Sequence, residues 1–239
     1  MDTGRKLEED ELERELEEIG LPVEESRFYL VEEVPGEEDA LGNYRPGMRK
    51  GFVKDGKRGE VRSRYLHEAA HAGYFENIET GKEIAEIDRE VVEMEEELFG
   101  GLLDGETTVV TSEEADESRE LDPGEAEELL EDEPGSPCYI VPGELFEEYS
   151  RKRGFLEELT DAVRPVVEGL SLYLQDRVLD ERPGEVPRSQ MREYRRIKQA
   201  AEKHGFGTAK RYVEDRSREM ISEELSGIGD GPRTGSIFT

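Results

Sequence analysis

Residues 65–75 read Tyr-Leu-His-Glu-Ala-Ala-His-Ala-Gly-Tyr-Phe, and this stretch decides how the chain can be organised. Apolar and small residues surround the two histidines, and the pattern predicts an α-helix from about residue 61 to residue 75. Residues four apart on a helix project from the same face, so His67 and His71 can hold one metal ion. Glu68 is placed to act on a water molecule at that ion.

The numbers of histidine and cysteine residues limit which metal ligands the chain can offer. The chain has three histidines, and two of them lie in this motif. It has one cysteine, Cys138, which excludes an internal disulfide framework and a cysteine-rich zinc site. Imidazole nitrogen is a good ligand for zinc, so Zn²⁺ is the expected cofactor. His67 and His71 are its predicted ligands, and Glu68 is the predicted catalytic residue.

The segments on either side of the motif predict a small α+β lobe. Residues 27–31 and 48–53 are candidate strands, and the loop Gly-Asn-Tyr-Arg-Pro at 42–46 leads into the second. A tight turn at 55–56 precedes the motif helix. Thr80 and Glu83 are spaced as a capping box and predict another helix that continues to about Phe99.

Composition divides the rest of the chain. We predict an acidic helix within 1–20, the metal-binding lobe at 21–103, a flexible acidic loop at 104–137, a helical C-terminal lobe at 138–225 and a disordered tail at 226–239. The acidic loop holds 14 acidic residues and one basic residue, with a short strand at 107–111 and at most a transient helix at 125–131. The C-terminal helices are predicted at 143–153, 155–180 with a kink at Pro165, 188–204 and 208–225.

The overall charge points to a salt-rich environment. The chain has a net charge of −30, with 48 Glu and 14 Asp against only 9 Lys. Concentrated salt shortens the Debye length to about 3 Å at 1 M and weakens this self-repulsion. The same composition is typical of partly disordered chains. No apolar run approaches the length of a membrane span, and the acidic N-terminal residues have no signal-peptide pattern. We predict a cytoplasmic protein of a halophilic organism or of one of its viruses.

Two stretches oppose the global charge. Residues 45–64 carry eight basic and two acidic residues, and residues 187–218 carry ten basic and four acidic residues. One interpretation is internal neutralisation against the acidic helices. The other is a surface for phosphate or for an acidic partner.

The order of strand, loop, second strand and HExxH helix over residues 27–75 resembles the N-terminal half of a zincin metallopeptidase. In that group an edge strand lies over the cleft and binds an extended peptide by strand addition. Gly42, Tyr44 and Pro46 precede the strand that corresponds to it here. The resemblance implies a zinc-dependent peptidase acting on a protein or peptide, with Glu68 as general base.

A catalytic zinc needs a third protein ligand. Asn77 stands where a metzincin has its third histidine, so that branch is excluded. Glu90 comes 19 positions after His71, which matches the spacing in aminopeptidase-type gluzincins, and it is the predicted third ligand. Other acids of the same helix remain as alternatives: Glu86, Asp88 and Glu95. Four residues are candidate donors to the oxyanion formed during hydrolysis: Tyr139, Tyr149, Tyr173 and His204.

An alternative function is nucleic-acid binding or assembly, with the HExxH site structural or inactive. Residues 200–213 faintly resemble a helix-turn-helix, with Gly205 at the turn and Phe206 after it. Arg211 stands where the second helix should bury an aliphatic side chain, which counts against this alternative. Salt-rich surroundings would also weaken contacts to phosphate.

Overall fold

The structure is a computed structural model and describes residues 5–7, 9–35, 40–100 and 143–227. Several predictions therefore fall outside the described residues: those for the acidic loop at 104–137 with its strand and helix, for Cys138 and Tyr139, and for nearly all of the tail. The described part has mixed α+β architecture, with six α-helices and one four-stranded sheet. The predicted fold class is confirmed at this level.

The sheet has the strand order β1-β2-β4-β3 and precedes the motif helix in sequence. Its strands are β1 (Arg5–Leu7), β2 (Arg27–Val31), β3 (Gly42–Arg45) and β4 (Lys50–Lys54). β2 and β4 are parallel, with Arg27 opposite Lys50, while the outer pairs are antiparallel. β2 matches the predicted strand, and its phenyl side chain at Phe28 is buried in the core.

β3 corrects the expectation for the edge of the sheet. Residues 42–45 were predicted as a loop leading to an edge strand at 48–53. Instead they form the edge strand themselves, and β4 lies in the interior of the sheet. Arg49, with φ of 51°, closes the hairpin between the two strands. The short run Gly-Asn-Tyr-Arg has little apolar character, so its sequence does not predict a strand. It becomes a strand because its backbone hydrogen bonds are made with β4.

Three helices accompany the sheet: α1 (Asp10–Glu18), α2 (Arg58–Asn77) and α3 (Glu79–Glu95), which ends in a π-helical turn (Glu96–Gly100). α2 carries the HExxH motif and begins three residues earlier than predicted. The predicted capping box at Thr80 is wrong. Ile78 is the N-cap of α3 and has no polar side-chain atom to cap the helix. Thr80 lies inside the first turn, and its hydroxyl donates to Glu214 at 2.8 Å.

The C-terminal part consists of α4 (Gly143–Leu179), α5 (Arg188–His204) and α6 (Phe206–Gly227). α4 is one 37-residue helix that passes through Pro165, rather than two helices separated near Gly154. Leu159 and Val163 before the proline and Val166 after it are all buried in the same core. This common burial favours a continuous helix despite the lost hydrogen bond. No described helix has the length and apolar character needed to cross a membrane.

The larger of two hydrophobic clusters among the described residues joins the two predicted lobes. It includes Leu12 and Leu16 from α1, Phe28 from the sheet, and side chains of α2 and α3 together with those of α4, α5 and α6. Within it, the Tyr74 hydroxyl donates to the Ser217 hydroxyl at 2.9 Å, and both residues are buried. α2 is therefore packed between the sheet and the C-terminal helices.

α5 and α6 form an antiparallel helical hairpin about Gly205, whose φ is 80°. Tyr212 and Arg216 of α6 both contact the buried carboxylate of Glu193 on α5. These residues lie 7–12 positions from the glycine on either side, so the helices run along each other. In a helix-turn-helix the second helix turns away from the first to enter a groove. The described geometry does not have that arrangement.

The basic stretches pair extensively with acids of the same chain. Arg49 pairs with Glu25, and Arg62 lies 3.0 Å from Glu11. Lys198 lies 2.6 Å from Asp176. Such contacts favour the interpretation that these stretches neutralise neighbouring acidic elements.

Candidate metal centre

The motif helix and α4 run antiparallel and face each other through polar side chains. Ser63, His67 and His71 are spaced by one turn each on α2, and Glu168, Ser171 and Gln175 lie along one face of α4. Glu168 lies beside both histidines. The Ser171 hydroxyl is 3.5 Å from the His67 carbonyl, and Gln175 donates to Ser63. This polar ladder crosses a packed apolar interface between the two helices.

Three side chains of the ladder form the candidate metal centre. One carboxylate oxygen of Glu168 lies 3.4 Å from Nε2 of His67, and the other lies 3.7 Å from Nε2 of His71. The two imidazole rings are 4.8 Å apart between centroids. One ligand atom from each residue lies within 4.8 Å of the other two. Two nitrogens and one carboxylate oxygen therefore converge on one point.

This donor set fits zinc. Zinc prefers nitrogen and oxygen ligands at about 2.0–2.2 Å in a tetrahedron, which places neighbouring ligand atoms roughly 3.3–3.5 Å apart. The distances from Glu168, 3.4 Å to His67 and 3.7 Å to His71, start from different carboxylate oxygens, and one ligand atom from each residue lies within 4.8 Å of the other two. The side chains would therefore have to move closer together to reach the tetrahedral spacing. Nε2 of His71 is buried and has no hydrogen-bond partner. A buried nitrogen that lacks a partner costs free energy, and coordination of a metal would satisfy it.

The protonation of the site suits coordination at His71 and Glu168, whereas His67 would have to lose a proton in order to coordinate. Burial lowers the pKa of His71 to about 3, and the charge of His67 acts in the same direction. Burial also acts to lower the pKa of His67, but a hydrogen bond to Glu168 and the charges of Glu68 and Glu168 raise it above its usual value. The pKa of Glu168 is lowered, since its contacts with His67 and His71 outweigh its burial. His71 is thus neutral and Glu168 ionised, as metal ligands must be.

Glu68 lies on the opposite side of His71 from Glu168. One of its carboxylate oxygens is 3.8 Å from Nδ1 of His71, and its side chain is 6% exposed. Edge strand β3 covers it, because a Cβ built on Gly42 would lie 2.5 Å from the other carboxylate oxygen. Glycine at this position lets the strand approach the carboxylate closely.

A cleft of about 910 Å³ opens beside these residues. His67 and Glu68 line it together with the edge-strand residue Gly42. Leu41, which is 55% exposed, lies at the same wall. The other lining residues come from the start of α2 and the end of α4: Lys57, Gly59, Glu60, Ser63, Arg64, Gln175 and Glu181.

The structure does not bring Glu90 to the histidines. Its carboxylate lies on the exposed side of α3 and accepts a hydrogen bond from Lys152 at 2.9 Å. The third ligand that the described residues offer is Glu168. α3 follows α2 directly, but its acidic residues face away from the two imidazoles.

The alternatives to Glu90 also have other contacts. Asp88 accepts a hydrogen bond from the Gly47 amide at 2.6 Å and fixes the turn between β3 and β4. Glu95 accepts one from the Tyr149 hydroxyl at 2.7 Å. Glu86 is exposed and lines a different cleft. All three are therefore separated from the ligand group of His67, His71 and Glu168.

The described candidates for the oxyanion donor do not line the cleft. Tyr149 bonds to Glu95 near the start of α4. The Tyr173 hydroxyl accepts a hydrogen bond from Arg177, and its ring stacks on Phe206. His204 is exposed at the end of α5, where its carbonyl accepts a hydrogen bond from Thr208.

Comparisons of this chain with protein-family models, with curated proteins and with solved structures found no match. The resemblance to zincins therefore rests on the residues of the strands and of α2. The metal centre rests on the distances between its three side chains.

One signal in the sequence could have identified Glu168. It is the single acidic residue between Ala162 and Leu174, in a stretch otherwise dominated by valine and leucine. An acid in such a stretch is rarely buried without a partner. Spacing along the helix that follows the motif cannot point to this carboxylate, which lies 97 residues beyond His71.

Proposed function

We propose that the protein is a zinc-dependent metallopeptidase that hydrolyses peptide bonds. The observation that supports this most strongly is the position of Glu168. A partly buried carboxylate from a distant helix lies at 3.4 and 3.7 Å from the two histidines of an HExxH motif. Ordinary packing of two helices gives no reason to gather two imidazoles and a carboxylate beside a cleft.

The proposed roles follow from the chemistry of zinc. His67, His71 and Glu168 hold the ion. A bound zinc would lower the pKa of a water molecule towards 7 and polarise the substrate carbonyl. Glu68 accepts a proton from the water while the water oxygen bonds to the carbonyl carbon of the substrate. Glu68 then delivers that proton to the amine nitrogen as the C–N bond breaks. Glu68 lies on the Nδ1 side of His71 and the proposed ion on the Nε2 side, so the Glu68 side chain would have to turn to reach that water.

The edge strand favours an extended peptide as the substrate. β3 forms one wall of the cleft beside Glu68, and main-chain pairing along such a strand holds a substrate in extended form. The exposed Leu41 offers an apolar contact next to this wall. A protein segment would have to be unfolded locally in order to bind in this way.

Metal analysis is the first test. We expect elemental mass spectrometry to find about one zinc per chain in protein purified in molar salt without chelator or histidine tag, and to find none in His67→Ala. Absence of zinc from the wild type after incubation with zinc, with helix content intact, would overturn the proposal.

Hydrolysis is tested separately with Glu68→Gln, on a mixture of unfolded peptides analysed by mass spectrometry. We expect this variant to retain zinc and to lose cleavage, because glutamine cannot accept the proton from the water. Equal cleavage by wild type and variant would exclude the role of Glu68.

A further inference from the structure

The outer side of α5 carries five exposed basic side chains. Four of them are separated by four, three and eight positions, so they lie along one face of the helix, and the fifth lies at the margin of that face. We call these five residues the basic stripe: Arg188, Arg192, Arg195, Arg196 and Lys203. Of the two acidic residues of α5, Glu193 is buried and Glu202 is exposed at the edge of the stripe.

One buried carboxylate is shared by several of these cations. Glu193 is 0% exposed, and one of its oxygens lies 2.9 Å from Arg192 and 4.0 Å from Arg196. The same oxygen lies 3.7 Å from Arg216 of α6, which also pairs with two acids of its own helix. Glu193 therefore offsets at most one of the positive charges of the basic stripe.

The rest of the basic stripe is not neutralised by the described part of the chain. Arg188, Arg195 and Lys203 make no ion pair with any residue that the structure describes. Five basic residues against the one carboxylate of Glu193 leave the stripe with about four uncompensated positive charges. In a chain with a net charge of −30, such a surface attracts an anionic partner.

The chain itself contains a segment of opposite charge. Residues 101–142 connect α3 and its π-helical turn to α4, and they lie outside the described residues. Within them, residues 113–133 hold twelve acidic residues and one arginine, a net charge of −11. The acidic residues are thus concentrated in the middle of the connection, away from both of its ends.

The connection is long enough to reach the basic stripe. Its two ends are held together, because the Tyr149 hydroxyl near the start of α4 donates to Glu95 near the end of α3 at 2.7 Å. α5 crosses α4 at Gly169, where a Cβ would lie 2.8 Å from the Tyr194 nitrogen. That crossing is 26 residues, or about 39 Å, along α4 from Gly143. Pro123 is 20 positions before Gly143, and an extended chain of that length spans about 66 Å.

We propose that residues 113–133 dock on the basic stripe of α5 and pair with its arginines and lysine. A nucleic acid would have to approach a chain of charge −30 from solution, whereas this segment is already attached, at an effective concentration of the order of millimolar. Docking also removes acidic side chains from their mutual repulsion. Because the pairs are exposed, the contact weakens as salt shortens the Debye length from about 10 Å at 0.1 M to 3 Å at 1 M.

The proposal goes beyond the peptidase function and does not depend on the metal centre. Glu168 lies on the side of α4 that faces α2. Gly169 and Asp176, which contact α5, lie on another side of the same helix. Substitutions in the basic stripe therefore leave the proposed ligands untouched.

Limited proteolysis of the full chain with a glutamate-specific protease is the first test. In 0.1 M KCl we expect the triple variant Arg188→Gln/Arg195→Gln/Lys203→Gln to be cleaved within residues 113–133 about three- to tenfold faster than the wild type, because several weak charge pairs are lost together. Mass spectrometry identifies the cleavage sites. In 1 M KCl the two rates should be equal, since screening releases the segment in both proteins.

The matched control is Arg27→Gln/Arg58→Gln/Arg151→Gln. These arginines are also exposed, and they lie on three different elements rather than on one face. This variant has the same change in charge and should be cleaved like the wild type in 0.1 M KCl. Equal cleavage of the wild type and the α5 variant in 0.1 M KCl, or an equal acceleration in the control, would overturn the proposal.

A second measurement distinguishes the attached segment from a nucleic acid. Fluorescence anisotropy follows the binding of a labelled 20-nucleotide oligothymidylate to the full chain in 0.1 M KCl. We expect no binding by the wild type, because the segment occupies the basic stripe. Binding by the wild type that is lost in the α5 variant and kept in the control would assign the stripe to nucleic acid and overturn the proposal.

Discussion

Gly42 lies directly against Glu68, so close that a Cβ on the glycine would fall 2.5 Å from one carboxylate oxygen and 2.9 Å from Cγ. We expect Gly42→Ala to push Glu68 out of position and to lower peptide hydrolysis by at least about 10-fold, the usual scale of a misplaced acid–base group. Zinc content should stay near one per chain, since none of the three ligands is touched. Cleavage rates and metal content of the same preparation test this.

Gly154 supplies the matched control for that substitution. It lies within α4, away from the cleft, and a Cβ there would meet open space. Gly154→Ala should keep full activity and gain up to about 1 kcal/mol in stability from helix propensity. An equal loss of activity in both alanine variants would show that the contact between Gly42 and Glu68 is not what matters.

The third ligand can be tested by a pair of substitutions. Glu168→Gln removes the charge that faces both histidines, and we expect zinc affinity to fall by at least about 10–100-fold. Glu90→Gln changes an exposed carboxylate that pairs with Lys152, and it should leave zinc affinity unchanged. Competition with a chelator measures both. The reverse pattern would restore Glu90 as the ligand.

Asp88 should make the stability depend on pH. Burial raises its pKa, although its hydrogen bond from the Gly47 amide and the charge of Arg45 oppose this shift. A carboxyl group with a raised pKa in the folded state stabilises the fold fully below its unfolded pKa of about 3.9 and loses that contribution as the pH rises through the folded pKa.

Asp88→Asn stays neutral and still accepts the hydrogen bond from the Gly47 amide. Its free energy of unfolding should therefore rise relative to that of the wild type between about pH 4 and pH 7. Urea denaturation at constant high salt measures this difference. A difference that is the same at every pH would contradict the role of burial at Asp88.

The net charge of −30 should make the melting temperature depend on salt. Raising KCl from 0.1 M to 1 M shortens the Debye length from about 10 to 3 Å and weakens repulsion between acidic side chains. We expect a rise of roughly 5–10 °C, given that each kcal/mol shifts the midpoint of a chain this long by about 2–4 °C. Calorimetry with sucrose at matched osmolality is the control, and an equal rise in sucrose would rule out screening.

The hydrogen bond between Tyr74 and Ser217 joins α2 to α6 through the core. Tyr74→Phe leaves the buried Ser217 hydroxyl without this partner and should cost about 1–3 kcal/mol. Tyr29→Phe is the control, because the Tyr29 hydroxyl makes no hydrogen bond with a described residue and its ring stacks on Phe52. Chemical denaturation compares the two. A cost below that of Tyr29→Phe would show that this hydrogen bond adds nothing.

Local sequence patterns were sufficient for much of this fold. Strand β2 and helix α5 have the predicted limits, because a run of aromatic and aliphatic residues and helical periodicity are properties of a short segment. The two histidines lie side by side on one helix for the same reason, since their spacing of four residues fixes their relative position.

What could not be predicted depends on contacts between distant segments. β3 gains its structure by pairing with β4, and α4 continues through Pro165 because both of its halves pack in one core. Glu168 is the clearest case. Spacing along α3 suggested Glu90, but the packing of α4 against α2 decides which carboxylate reaches the imidazoles. Among so many glutamates, sequence separation alone carries little information.

Because Glu168 is far from the histidines in sequence, an ion at this centre would also cross-link distant parts of the chain. Coordination would join residues 71 and 168, which are 97 positions apart along the chain, and would close a loop of the length that a long-range disulfide closes. In a chain with a single cysteine, zinc would then be a cross-link as well as a reagent. Removing the zinc would take away this connection between α2 and α4. A chelator would therefore lower the melting temperature together with the activity.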